Sequence, residues 1–339
     1  MNKKIIAAAV AAVISAPAAM AADTVVYGKV RQSVDFVDMG NGTSNVDNIQ
    51  INDKSSRLGF KGSEDLGNGL KAVWKMEFGI AISSNSHGNG LDSVRSEFSG
   101  SGTFSARNAF VGLAGDFGTA LIGRHDHPLK ISTGSLDLFA DTIADNNQSF
   151  TENLTDFRAD GTVAYVSPSL SGLTFAAALV PGENANADGI SDAYSVAAMY
   201  NNGGIYASVA YEEGDSDLDA VGATTDYEQT RVGLGYTMDA FTVNVVWADV
   251  DSPATTNGET ESVVLSGKYT MGNNAIKAKW FDVDRTGLTA DDNDGFAIGL
   301  EHNFSKRTQA QVVYVSSDQD GANAGADGDV FSLQLNHNF

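Results

Sequence analysis

Residues 56–78 read SRLGFKGSEDLGNGLKAVWKMEF, two stretches of strand-like character joined by the turn-forming run DLGNG at 65–69. In the second stretch Leu70, Ala72, Trp74, Met76 and Phe78 alternate with Lys71, Lys75 and Glu77. Successive residues of a strand point to opposite faces, so one face here is apolar and the other charged. A helix would repeat its apolar positions every three to four residues, and nothing comparable occurs at that spacing.

The same period runs outward from this hairpin in both directions. At 26–36, Val26, Gly28, Val30, Val34 and Phe36 alternate with Tyr27, Lys29, Arg31, Ser33 and Asp35. It recurs at 205–211, 232–238, 241–247, 263–271, 276–280 and 296–300, and the chain ends on Phe331, Leu333, Leu335, His337 and Phe339. The connections alternate in length. Short ones lie at 65–69, 115–118, 168–172, 201–204, 238–240, 272–274 and 305–307; longer polar ones lie at 38–50, 79–103, 125–160, 181–192, 212–228, 249–261, 282–294 and 316–329. Seven short and eight long connections join sixteen strands. The expectation is an all-β chain folded as a transmembrane antiparallel β-barrel, with short periplasmic turns and long outer loops. Closure pairs every backbone N–H and C=O, as a membrane demands. A soluble β-sandwich or propeller would share the alternation but has no reason to alternate its connection lengths.

The first residues agree with export. Lys3 and Lys4 precede the apolar run 5–14, Ser15 and Pro17 interrupt it, and Ala19-Met20-Ala21 offers a small-x-small cleavage site. This predicts a signal peptide at 1–21 and one barrel domain at 22–339, because the run is too short to span a bilayer as a helix. The chain has no cysteine, so its stability rests on backbone pairing. With 21 Lys and Arg against 43 Asp and Glu, the formal net charge is −22. That balance excludes nucleic acid as a partner, since phosphate binding needs clustered basic residues.

The segment 56–77 looks like the hairpin signature of the Gram-negative general porins, the trimeric sixteen-stranded diffusion barrels of the outer membrane. VYGKV at 26–30, RNAFVGLAGDFGTALIGR at 107–124, SLDLFADTIAD at 135–145, GTVAYVSPSLSG at 161–172 and the final Phe339 resemble the same family. The resemblance spans the whole chain. It implies a homotrimer in the outer membrane, surrounded by lipid and lipopolysaccharide, with one water-filled pore per subunit for passive diffusion of ions and small hydrophilic solutes. It also implies that a third outer loop, here 125–160, folds inward as a constriction, and that Phe339 belongs to the signal read by the barrel-assembly machinery.

Such a pore performs no bond chemistry; diameter and rings of charge set its selectivity. Alternation puts Lys29, Arg31, Arg57, Lys61, Lys71 and Lys75 on lumen faces of the first strands, where they form one positive wall. Such charges are costly against lipid, about 2–4 kcal/mol at the midplane. Arg124 and Arg158 flank the long loop and join this wall if the family pattern holds. The competing reading is that some of these groups merely neutralise Asp35 and Glu77. The opposite electrode is expected from the loop acids Asp137, Asp141, Asp145 and Glu152, unless these point outward into solvent. The face of residues 107–113 is ambiguous, which leaves Arg107 unassigned.

No metal or cofactor is expected. His125-Asp126-His127 has no further His or Cys partner, and DDNDG at 291–295 and DQDG at 318–321 lack the spacing of a calcium loop. The outer segments from 181 onward hold 23 Asp and Glu against Arg285 alone, which reads as a solvated, self-repelling surface. A membrane-embedded hydrolase would need a nucleophile, base and orienting group together. The five histidines, His87, His125, His127, His302 and His337, do not suggest one; His302 and His337 fall on apolar faces near strand ends and suit interface anchoring.

Overall fold

The computed structural model describes residues 24–40, 45–83, 104–147, 154, 156–182, 191–215, 226–252, 258–286, 291–321 and 327–339. The leader 1–21, His87 and Glu152 lie outside them. One antiparallel sheet contains β1 (Val25–Gly40), β2 (Asn45–Asp53), β3 (Arg57–Gly67), β4 (Leu70–Ile80), β5 (Phe104–Gly115) and β6 (Gly118–Asp126). It continues through β7 (Arg158–Val166), β8 (Leu173–Val180), β9 (Ala193–Asn202), β10 (Ile205–Gly214), β11 (Tyr227–Met238) and β12 (Phe241–Ser252). The remaining strands are β13 (Gly258–Met271), β14 (Asn274–Thr286), β15 (Asp291–Asn303), β16 (Thr308–Gly321) and β17 (Gly328–Asn338). A six-residue helix, α1 (Pro128–Thr133), follows β6.

The sheet closes on itself, because β17 pairs with β1 from Lys29↔Asn338 to Met39↔Gly328. Although the described residues form seventeen segments, β2 and β3 lie end to end against the two halves of β1. They occupy one position in the wall, which makes a closed barrel of sixteen strands.

The seven short connections fall where the turn residues predict. Two-residue hairpins need left-handed backbone, and Asn68 and Gly69 supply it at φ 52° and 78°, as do Gly203 and Gly204 at 62° and 89°. Four segments expected to be outer loops, 38–50, 249–261, 282–294 and 316–329, are instead largely strand. Thus β1 runs to Gly40, and β14 continues to Thr286 before β15 begins at Asp291. Above the bilayer both faces meet water and the side chains turn polar, while the backbone ladder continues. Alternation therefore marks the height of lipid contact and not the length of the strand.

The outward face has the expected apolar band, with Val111, Ile122, Val209, Leu234, Val243, Ile298 and Leu335 exposed. An upper row of Trp280, Phe296, Tyr314, Phe331 and Phe36 runs across register-adjacent strands. A lower row includes Tyr236, Tyr269 and Phe241, the last two stacked at 4.5 Å. Such girdles belong at the two membrane interfaces. The buried apolar cluster lies inside the barrel, where Leu129, Leu136, Phe139, Ile143 and Ala144 pack with Val246, Val264, Phe281, Val283, Val313 and Val330 of the wall. Space for this packing comes from glycine: a Cβ at Gly233 would lie 2.5 Å from Leu136, and one at Gly299 3.0 Å from Phe139.

Candidate functional site

The segment between β6 and β7 crosses the lumen. Its contacts name the strands it spans: Tyr206 of β10 donates to the Ser132 carbonyl at 2.6 Å, Asn244 of β12 to Leu136 O at 2.8 Å, Lys279 of β14 to Ala144 O at 2.7 Å, and Gln334 of β17 to Asp141 O at 3.0 Å. At its two ends His127 meets Glu212 at 2.8 Å and Asp156 meets Arg231 at 2.6 Å. Pro128 opens α1, where its missing N–H costs nothing.

Of the four acids expected at the constriction, the three that are described, Asp137, Asp141 and Asp145, divide into two roles. Asp137 accepts backbone N–H groups of Phe139 at 2.7 Å and Asn146 at 3.1 Å. Asp145 accepts those of Asp141 at 2.6 Å and Asn147 at 2.9 Å. Both side chains hold the loop's shape. Asp141, itself at φ 59°, turns its carboxylate to the barrel wall. There it pairs with Arg31, with Arg57 at 2.8 Å and with Lys29 at 3.9 Å.

A second carboxylate sits behind these cations. Glu77 of β4 accepts from Arg107 at 2.9 Å and from Tyr27 at 2.8 Å, with Lys75 at 3.3 Å and Arg57 at 4.0 Å. Around Asp141 and Glu77 the wall therefore gathers Lys29, Arg31, Arg57, Lys75 and Arg107. Burial pushes the Asp141 carboxyl up, but Arg57, Arg31 and Lys29 more than reverse this and hold it well below the ordinary carboxylate range. Asp145 moves the other way: burial, then Asp137 and Asp141 nearby, raise it to about 7.

The other expected residues are distributed as follows. The Lys61 ammonium stands over the Tyr27 ring at 5.3 Å, and Lys71 pairs in register with Asp65 and Ala114, both nearer the periplasmic turns. Arg124 falls in step with the outward Ala120 and Ile122 and meets the exposed Asp160 at 3.0 Å. Arg158 is buried against Asp126 at 2.9 Å and Asn108 at 3.1 Å. The structure brings neither of these two to Asp141.

Sequence reasoning left out Arg107, Lys277 and Lys279. Arg107 faces inward because β5 carries an extra residue opposite Glu77, where Met76↔Ala109 is followed by Phe78↔Ala106. The broken alternation at 107–113 was the trace of that bulge. Lys277 reaches Gln311 at 2.8 Å and Glu301 at 3.5 Å, and stands over Phe139 at 4.9 Å. Its inward face, and that of Lys279, were readable from Ile276, Ala278 and Trp280 alternating with them.

Two kinds of similarity to known proteins bear on this arrangement. The family described as Gram-negative porin matches residues 7–322. A major outer membrane protein P.IB of Neisseria meningitidis serogroup B is 30% identical over 332 residues, covering 92% of each chain. Among solved structures, the anion-selective porin from Comamonas acidovorans superposes with a TM-score of 0.76 at 21% identity, covering 94% of this chain and all of that one. The trimer form of in-vitro folded OmpT from Vibrio cholerae superposes with a TM-score of 0.67 at 16% identity, covering 94% and 100%.

Proposed function

Since this chain belongs to the Gram-negative porin family and forms an outer-membrane pore for passive diffusion of small solutes, we propose that its selectivity is set across one gap. The passage runs past Lys29, Arg31, Arg57, Lys75 and Arg107 on the wall and past Asp141, which the loop holds against Arg31 and Arg57. The observation that carries this reading is the convergence of Arg31 and Arg57 on Asp141. Five cations face Asp141 and Glu77, so the narrow zone favours small anions. The transverse field also orients dipolar solutes and disfavours large apolar ones. Lys61 and Lys71 extend the positive track toward the periplasm, while Arg124 and Arg158 brace the loop's ends. Single-channel recording of refolded protein in a planar bilayer tests this. A reversal potential of anionic sign is expected, and a cation-selective pore would overturn the assignment.

We read the chain as a channel without bond chemistry, assembled as a homotrimer. In-vitro folded OmpT from Vibrio cholerae has a trimer form, and the outer surface here has two unlike sectors. From β12 to β16 outward carboxylates sit in direct register: Asp249↔Glu261, Glu261↔Asp284, Asp282↔Asp294, Asp294↔Asp318. At the same end of β4 and β5 the outward residues are Phe78, Ile80, Phe104 and Ala106. The apolar sector suits contact with other subunits, and the acidic sector suits water and the lipopolysaccharide headgroups, whose divalent counterions screen it. Phe339 is proposed as part of the signal for the barrel-assembly machinery. Migration as an oligomer before boiling and as a monomer after it is the expected result in gentle detergent.

A further inference from the structure

Opposite β1 the wall carries one residue too many. Along β1 the step from Lys29 to Gln32 is three residues, yet their partners Arg57 and Asp53 are four apart. The surplus lies at Lys54, Ser55 and Ser56, with Ser55 at φ 60°. It reverses the faces of the strand. In β2 the even positions Gln50 and Asn52 are buried in the lumen wall, while Ile49 and Ile51 are 66% and 56% exposed on the outside. In β3 the odd position Arg57 faces inward, and Leu58 and Phe60 pair with outward Gly28 and Val26. An uninterrupted strand that kept Ile49 and Ile51 against lipid would point Arg57 there as well.

Ser56 repairs the ladder at this point. Its hydroxyl accepts the Arg31 N–H at 2.9 Å and donates to the Arg31 carbonyl at 3.2 Å, while its own N–H is held by Asp53 at 2.8 Å. The Arg57 Nε donates to Ser55 O at 3.2 Å, which leaves the terminal nitrogens free to reach Asp141 and Glu77. Lys54 also turns inward, but its ammonium is buried against Asp35 at 3.1 Å, so it adds no free charge to the pore. Both guanidiniums that grip Asp141 therefore hang on the same break: Arg31 sits opposite it and Arg57 directly follows it.

We propose that this strand break, pinned by Ser56, is a specificity-determining element of the pore, with Ser56 a positioning residue for Arg31 and Arg57. A bulge that re-aims a side chain toward a functional site is a known use of the motif. The inference rests on the Asp141 gap being the selectivity site, so the test separates the two. Reversal potentials are measured for folded oligomer of the wild type and of Arg31→Gln, Arg57→Gln, Ser56→Ala and Ser56→Thr. Ser56→Ala loses both hydroxyl bonds to the Arg31 backbone and should move the anion/cation permeability ratio toward cations by at least roughly twofold, the low end of what one such bond is worth, and Ser56→Thr should restore it. The temperature at which the oligomer dissociates should stay unchanged. Wild-type selectivity in Ser56→Ala, alongside a shift in Arg57→Gln, overturns the positioning role. An unchanged ratio in both arginine variants overturns the gap itself. Should Ser56→Ala fail to fold, Ser56→Cys, isosteric and a weaker hydrogen-bonding group, replaces it with the same expected direction.

Discussion

The ring of Phe339 occupies the space that a side chain on Gly28 would need: a Cβ there would lie 2.4 Å from its Cζ. The two residues also exchange backbone hydrogen bonds, Gly28 N–H to Phe339 O at 3.1 Å and Phe339 N–H to Gly28 O at 3.0 Å. The last residue thus locks the first strand and extends the β1–β17 seam past its ladder. Gly28→Val should displace the ring and sharply lower the yield of folded barrel, whereas Phe339→Ala removes the ring and keeps both backbone bonds. Heat-modifiable mobility in gels, compared for the two variants, checks this. Equal yields of folded protein from Gly28→Val and wild type would show that the seam tolerates the lost contact.

Asp141 and its arginines make opposite predictions. Removing the carboxylate with Asp141→Asn leaves Arg31 and Arg57 uncompensated, so anion preference should rise. Arg57→Gln should lower it. Asp141, Arg31 and Arg57 are mostly buried, so the ~0.2–1 kcal/mol of an exposed ion pair, roughly 1.4- to fivefold in a permeability ratio, is a floor. Reversal potentials across a fixed salt gradient measure both shifts, and shifts of the same sign would refute a transverse field at this gap.

Leu136 and Phe139 predict a mechanical result. The loop is seated by apolar side chains set against Gly233, Gly235 and Gly299. Truncating a buried Phe or Leu costs about 2–5 kcal/mol in a packed core. That loss should fall on the loop and leave the barrel standing, because the strands hold one another through their backbone ladders. Phe139→Ala and Gly233→Val should therefore raise single-channel conductance and admit larger sugars in a liposome-swelling assay, with little change in oligomer stability. Unaltered conductance in both would mean that the polar ties from Tyr206, Asn244 and Lys279 suffice to hold the loop.

How much of this was visible beforehand differs from residue to residue. The strands of the apolar band and their hairpins were legible, since period two and left-handed turn residues such as Asn68 and Gly69 are local signals. The basic rows of β1, β3 and β4 were legible for the same reason. Arg107 was not, because a bulge interrupts the count by which a face is assigned. Nor could the loop acids be told apart. Asp137, Asp141 and Asp145 are spaced four apart and look alike, and only the backbone turn at Asp141 sends one carboxylate to the wall while the other two bind N–H groups. The upper reaches of β1, β2 and β12–β17 were missed because strands in water keep no apolar face.

Asp145 makes the pore sensitive to pH in a direction that can be worked out. Burial, with Asp137 and Asp141 nearby, raises its carboxyl to about 7, although the N–H groups of Asn147 and Asp141 favour the ionised form. The folded value lies above that of an ordinary Asp, about 3.9. Between these values the folded loop holds a proton that the unfolded chain has released. Stability conferred by protonated Asp145 is therefore complete below about pH 4 and lost as pH rises towards 7. In the open pore, ionisation adds a negative charge beside Asp141, so anion preference should decline between about pH 5.5 and 8.5. Asp141 itself does not titrate there, because Arg57, Arg31 and Lys29 keep it ionised throughout. Asp145→Asn removes the titrating group while its amide oxygen can still accept one of the two N–H bonds, so its selectivity should be flat from about pH 5.5 to 7 and match the wild type at the acid end. Reversal potentials taken at half-unit steps of pH decide the matter; an equal decline in the wild type and in Asp145→Asn would assign the titration to another group of the lumen.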